Sequence, residues 1–74
     1  MTRIELRLKE LRQASGMTQA ELAGRADIDQ GAISRMEASQ TRSMGLDALA
    51  RLCHVLDCEP GDLLVRVGKK RKRN

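Results

Sequence analysis

Apolar positions recur at two different periods along this chain, and the change of period divides it into elements. Near the start, Ile4, Leu6 and Leu8 alternate with Arg3, Glu5, Arg7 and Lys9, the two-residue repeat of a strand with one buried face. Leu8 and Leu11 also suit a helix closing at Gly16, a residue fit for the left-handed turn beyond a helix. Two readings stay open here: an extended entry over residues 2–7 followed by a helix over 8–15, or one longer helix beginning near Ile4. From residue 18 the period is helical. Thr18 and Glu21 have the spacing of a capping box, in which each side chain satisfies an amide orphaned at the helix start. Leu22, Ala23 and Ala26 then share one face. Asp27 tolerates a left-handed backbone, and Asp29 is a favoured N-cap for a following helix. Over residues 30–37, Ile33 and Met36 point inward and leave Gln30, Gly31, Ser34 and Arg35 outside. A short helix, a tight turn and a second helix with a polar outer face therefore occupy residues 18–36.

The remainder packs around that pair. Residues 38–45, ASQTRSMG, read as a polar loop, with Gly45 as N-cap of the next helix. Leu46, Leu49, Cys53 and Leu56 repeat at three and four, and Leu52 widens their stripe. Asp47 sits in the first turn, where a negative charge suits the helix dipole. Pro60 begins a last short turn over residues 60–64. Residues 63–67, LLVRV, are again strand-like. The two strand-like ends are expected to pair as an antiparallel ribbon, within one chain or across a dimer, because an isolated two-stranded ribbon is marginal and its edges are open. Four or five short helices result. The expected class is all-α, with the ribbon as an addition.

Composition narrows the class. At 74 residues there is room for one domain, placed at residues 1–67 with a tail over 68–74. Phe, Tyr and Trp are absent. The core must come from Leu, Ile, Val, Met and Ala, which suits short packed helices, and Met17, Met36 and Met44 serve as fillers. Lack of aromatic side chains also weighs against the stacking platforms that bind single-stranded nucleic acid. The net charge of +4 is misleading, because Lys69, Lys70, Arg71, Lys72 and Arg73 supply more than all of it. The body is nearly neutral. A run of like charge is expected to be disordered, and it either solvates the protein or adds non-specific affinity for polyanions. No apolar run reaches the length of a membrane span, and no secretion signal follows Met1, so a cytoplasmic location without membrane contact is expected.

Catalytic and metal chemistry find little support. Cys53 and Cys58 lack zinc or redox spacing, and His54, the one histidine, cannot complete a four-ligand site with them. Both cysteines are read as small buried hydrophobes in a reducing compartment. His54 belongs to a helix expected to be mostly core-facing, and Ser34 has no histidine nearby to activate it. The chain is expected to be no enzyme, with no metal and no cofactor.

The segments LKELR (8–12), GMTQAELA (16–23), ISRME (33–37) and LDALARLCHVLDCEPGDLL (46–64) together resemble the Cro/CI-type (lambda-repressor-like, XRE) helix-turn-helix family. The resemblance covers about three quarters of the chain, and TQxELA and ISxxE at their mutual spacing make it specific. It implies five helices, the third docking in the major groove of DNA. By the same resemblance, Gln30, Gly31, Ser34 and Arg35 hold the base-reading positions. Arg35 suits a guanine edge and Gln30 an adenine edge. Gln19, at the start of the second helix, matches a phosphate-contacting position, and free amides there favour an anion. Gln40, Thr41, Arg42 and Ser43 match the loop that grips the backbone and carries no sequence information. Arg12 and Glu37 fall where the family has a structural ion pair.

Three residues depart from the pattern. Gly31 stands where relatives place a base-reading side chain, Asp29 brings negative charge towards phosphates, and Ser39 replaces a helix-ending glycine. The implied function is a sequence-specific double-stranded DNA-binding transcription regulator of bacterial or phage type, expected to be a repressor. A homodimer would set two recognition helices about 34 Å apart. The alternatives are the antitoxin of a toxin–antitoxin pair, or a protein-interaction adaptor with only non-specific DNA affinity. Either brings a protein partner, a toxin or a co-regulator.

Overall fold

The computed structural model describes residues 2–68. The chain runs β1 (Thr2–Leu6), α1 (Leu8–Ala14), α2 (Gln19–Ala26), α3 (Gln30–Glu37), α4 (Leu46–Leu56), α5 (Pro60–Leu63) and β2 (Leu64–Gly68). The alternation at the start therefore marks a strand, and the longer first helix is excluded. β1 and β2 pair antiparallel within the chain, with Thr2 opposite Gly68, Ile4 opposite Arg66 and Leu6 opposite Leu64. A purely all-α description is thus corrected to five helices with a two-stranded sheet. Gly68 closes β2, and the rest of the expected tail, residues 69–74, lies outside the described residues.

Each helix contributes one large, completely buried side chain to a single core, Leu8, Leu22, Ile33, Leu52 and Leu63, all at 0% exposure, and α2 adds Ala26 at 0%. Met17 and Met36 are buried among them, and Met44 is half-buried. With no aromatic ring available, this centre of four leucines and one isoleucine has to be filled by close helix approach. It is closed by turns of one kind. Gly16, Asp27, Ser39 and Asp57 all have left-handed φ, of 74°, 55°, 60° and 52°. In each case the next residue's N–H bonds back five positions: Met17 to Arg12, Ile28 to Ala23, Gln40 to Arg35, and Cys58 to Cys53, at 2.9–3.2 Å. These are Schellman closures, which satisfy carbonyls left over at the helix ends. Asp27 and Gly16 adopt the conformations their residue types allow. Ser39 adopts the same one without a glycine's freedom, at a cost of about 1 kcal/mol.

Helix starts are more varied. Thr18 and Glu21 form the expected capping box, Thr18 N–H donating to Glu21 Oε1 at 2.8 Å and Glu21 N–H to Thr18 Oγ1 at 3.1 Å. A second box joins Glu59 and Asp62 ahead of Pro60. Asp29 makes no side-chain cap to α3. Its carboxylate turns towards the bare face of Gly31, where an added Cβ would lie 2.8 Å from Oδ2.

Three expectations about burial need correction. Leu46 is 81% exposed and Ile4 is 60% exposed. The body leaves the first turn of α4 open, with Leu52 and Leu56 entering the core further along, and the ribbon rises from the body so that of its apolar residues only Leu6 and Leu64 pack on the core. Cys53 and Cys58 are free thiols, half-buried rather than interior, because they are the contacting pair of the α4 closure. Burial, and then the nearness of Cys53, push the Cys58 thiol up to about 11. His54 faces solvent. No helix among the described residues is long and apolar enough to cross a membrane.

Candidate nucleic-acid interface

Along α3 the sequence alternates what it buries with what it shows. Ile33 and Met36 anchor the inner face at 0% and 7% exposure. Gln30, Gly31, Ser34 and Arg35 are all exposed on the other. Gly31 leaves a gap in this face. A Cβ there would sit 3.4 Å from Arg35 Nη1 as well as close to Asp29. The Arg35 guanidinium and the Asp29 carboxylate thus both lie over the bare face of Gly31.

Beneath α3 lies a polar joint. Arg12 of α1 donates from Nε to Glu37 Oε2 at 2.6 Å and from Nη2 to Oε1 at 3.1 Å. Its third nitrogen, Nη1, donates to the Met17 carbonyl at 2.8 Å. Gln19 Nε2 donates to Glu37 Oε1 at 2.9 Å. One carboxylate thus ties the first, second and third helices together. The Arg12 and Glu37 side chains are only 11% and 5% exposed, so this pair is no solvated surface contact. Burial alone would raise the Glu37 pKa, but hydrogen bonds from Arg12 and Gln19, with attraction from Arg12 and Lys9, outweigh it and hold it below its ordinary value.

Gln19 consequently has its side-chain amide committed inside the protein. What it offers an anion is chiefly its place at the N-terminus of α2, where backbone amides are free. A shallow polar cleft opens there, lined by Lys9, Arg12, Gln19, Ser34, Glu37 and Ala38. Lys9 is the functional candidate that sequence pattern passes over. Its only signal is a spacing of three from Arg12 on a helix face, which also describes ordinary solvated lysines. On the far side of α3, Gln40, Arg42 and Ser43 are exposed in the loop before α4, and Thr41 is half-buried. Arg51, also unremarked in the sequence, donates from Nε to the Ala26 carbonyl at 2.8 Å. It fixes α4 to the C-terminal end of α2, where a cation suits the helix dipole.

A shallow polar cleft, a polar helix face and a polar loop so adjoin one another around α3. Among the described residues no cluster of three or more metal-ligating side chains occurs. A family match to the Cro/C1-type helix-turn-helix DNA-binding domain spans residues 7–69. The chain belongs to that family. The Cro/C1-type domain here also resembles solved structures of regulators. The restriction-modification controller protein C.AhdI from Aeromonas hydrophila is 37% identical, with TM-score 0.67 over 73% of this chain and 80% of that one. The N-terminal DNA-binding domain of SinR from Bacillus subtilis is 26% identical, with TM-score 0.69 over 73% and 78%. In the SinR–SinI complex the likeness has TM-score 0.72 at 25% identity over 76% of this chain, which spans only 54% of that partner's length. The regulator VanUg, at 17% identity, shares the fold over 92% of this chain, more than the helices alone occupy. No curated protein sequence matches.

Proposed function

We propose that this Cro/C1-type domain is a sequence-specific double-stranded DNA-binding transcription regulator that acts as a homodimeric repressor. The observation that carries the reading is the rigid presentation of α3. Glu37 at its end is held by Arg12 and Gln19, while Gln30, Ser34 and Arg35 stay exposed. Arg35 would read a guanine edge and Gln30 an adenine edge, each worth about 1–3 kcal/mol of discrimination. Gly31 has no side chain with which to read a base; its bare face leaves room for the Arg35 guanidinium. Arg42, with Gln40, Thr41 and Ser43, would grip phosphates on one side, and the α2 N-terminus at Gln19 with Lys9 on the other. The likeness to SinR in its complex with SinI favours a protein partner as a second layer of control.

Selection of bound sequences from a random duplex pool tests the reading. A palindromic winner whose half-sites are one helical turn apart supports it. Sequence-blind enrichment that falls with salt would leave only a polyanion-binding protein.

A further inference from the structure

The two exposed large hydrophobic side chains among the described residues, Ile4 at 60% and Leu46 at 81%, lie in different elements yet line the same groove. Its floor is Leu6, Leu49 and Leu64, and its wall is the loop of Thr41, Arg42 and Ser43. A second shallow groove shares Leu46 and Leu49 and continues along α4 to Asp57, Glu59 and Pro60. Sharing Leu46 and Leu49, they form one apolar band from the ribbon along α4 to the start of α5. We propose that a second copy of this chain seats on this band, antiparallel about a two-fold axis passing close to Leu46 and Leu49.

Three observations select a second copy as the occupant. First, the band carries both a projection and a hollow. Ile4 and Leu46 stand out beside the half-buried Leu6, Leu49 and Leu64, so one surface supplies both halves of a self-complementary, isologous contact. Second, its ends differ in charge. Arg42 borders the ribbon end, and Arg66, paired with Ile4 in the register, projects on the same side of the ribbon. Asp57 and Glu59 border the other end. A two-fold through the middle brings the basic end of each copy to the acidic end of its partner, whereas a parallel arrangement would set like charges together. Third, residues 69–74, KKRKRN, hold no apolar side chain, so they cannot fill the band from within the chain.

The proposal deepens the DNA-binding reading, since the loop assigned to phosphates borders the paired surface, but oligomeric state tests it without DNA. In this arrangement pairing immobilises residues 41–43, so each copy completes the backbone grip of the other.

Sedimentation equilibrium on the full chain, free of DNA, should show a dimer. Leu46→Glu and Ile4→Glu should each raise its dissociation constant about 100-fold, because every change occurs twice per dimer. Both positions are exposed, so circular dichroism should report an unaltered fold. Arg66→Glu and Glu59→Arg should each weaken pairing about 3–10-fold, and the double variant should recover it. A wild-type monomer, or a Leu46→Glu dimer as tight as wild type, overturns the proposal, as does a double variant no tighter than the singles. Arg35→Ala should remain dimeric. If it does so and wild type still selects no operator, the DNA reading has failed and the interface stands.

Discussion

Arg12 and Glu37, 25 positions apart, meet through two parallel hydrogen bonds, one of them 2.6 Å long. That pair decides whether α3 is a fixed reading head or a loosely packed helix. Truncating either member leaves the other charge nearly enclosed, which costs more than the intact pair contributes. Glu37→Gln should therefore lower unfolding stability by about 2–3 kcal/mol, measured by urea denaturation. Arg12→Ala should cost as much or more, since it also frees the Met17 carbonyl. A loss of a few tenths for both would reduce the joint to a surface contact.

The same carboxylate links stability to acidity. Its folded pKa lies below the ordinary 4.5, so its contribution is fully present above the unfolded value. That contribution is lost as pH falls through the lowered folded one. Glu21, lowered by the Thr18 backbone and side-chain bonds, acts in the same sense but from the surface. The difference in melting temperature between wild type and Glu37→Gln should be greatest near neutrality. It should shrink as pH falls below the ordinary carboxylate range and through the lowered folded pKa, where a protonated glutamic acid resembles glutamine. A gap independent of pH would remove ionisation from the explanation.

Readout and grip are separable. Arg35→Ala should relax preference at one base pair by about 1–3 kcal/mol and leave the salt dependence almost unchanged. Arg42→Ala should weaken binding to every duplex alike and flatten the salt slope by about one ion. Gel-shift titrations on the selected operator and on scrambled duplex distinguish them. Exchange of the two signatures would reverse the assignments.

Ser39 takes a left-handed turn, with φ 60°, where glycine is at ease. Ser39→Gly should stabilise the fold by about 0.5–1 kcal/mol, a rise of roughly 2–8 °C in melting temperature for a domain this small. A neutral or destabilising result would mean that the exposed serine has a partner in the assembly.

Local rules made much of this fold legible. Thr18 and Glu21, Gly16, Asp27 and Pro60 each act within a few residues, and each behaves as its chemistry dictates. Competition between neighbours was not legible. Asp29 has the right residue type to cap α3, but its carboxylate lies over the bare face of Gly31 instead. Burial of Leu46 was misjudged because helical period tells which face a side chain occupies, not how far along the helix the body reaches. Likewise the outward face of α3 followed from Ile33 and Met36. The commitment of Gln19 to Glu37 depends on a contact 18 positions away, which no spacing rule contains.

The ribbon has a consequence in time as well as space. Thr2 and Gly68 are opposite in its register, so the two ends of the described fold must find each other across the whole chain. Helices close within a turn, while a loop this long pays its closure entropy before any strand bond rewards it. The helical body should therefore assemble first and the strands zip afterwards, starting from the Leu6/Leu64 end that touches the core. Under denaturant or heat the order reverses, and the edge bearing Ile4 opens before the surface bearing Arg35 is disturbed.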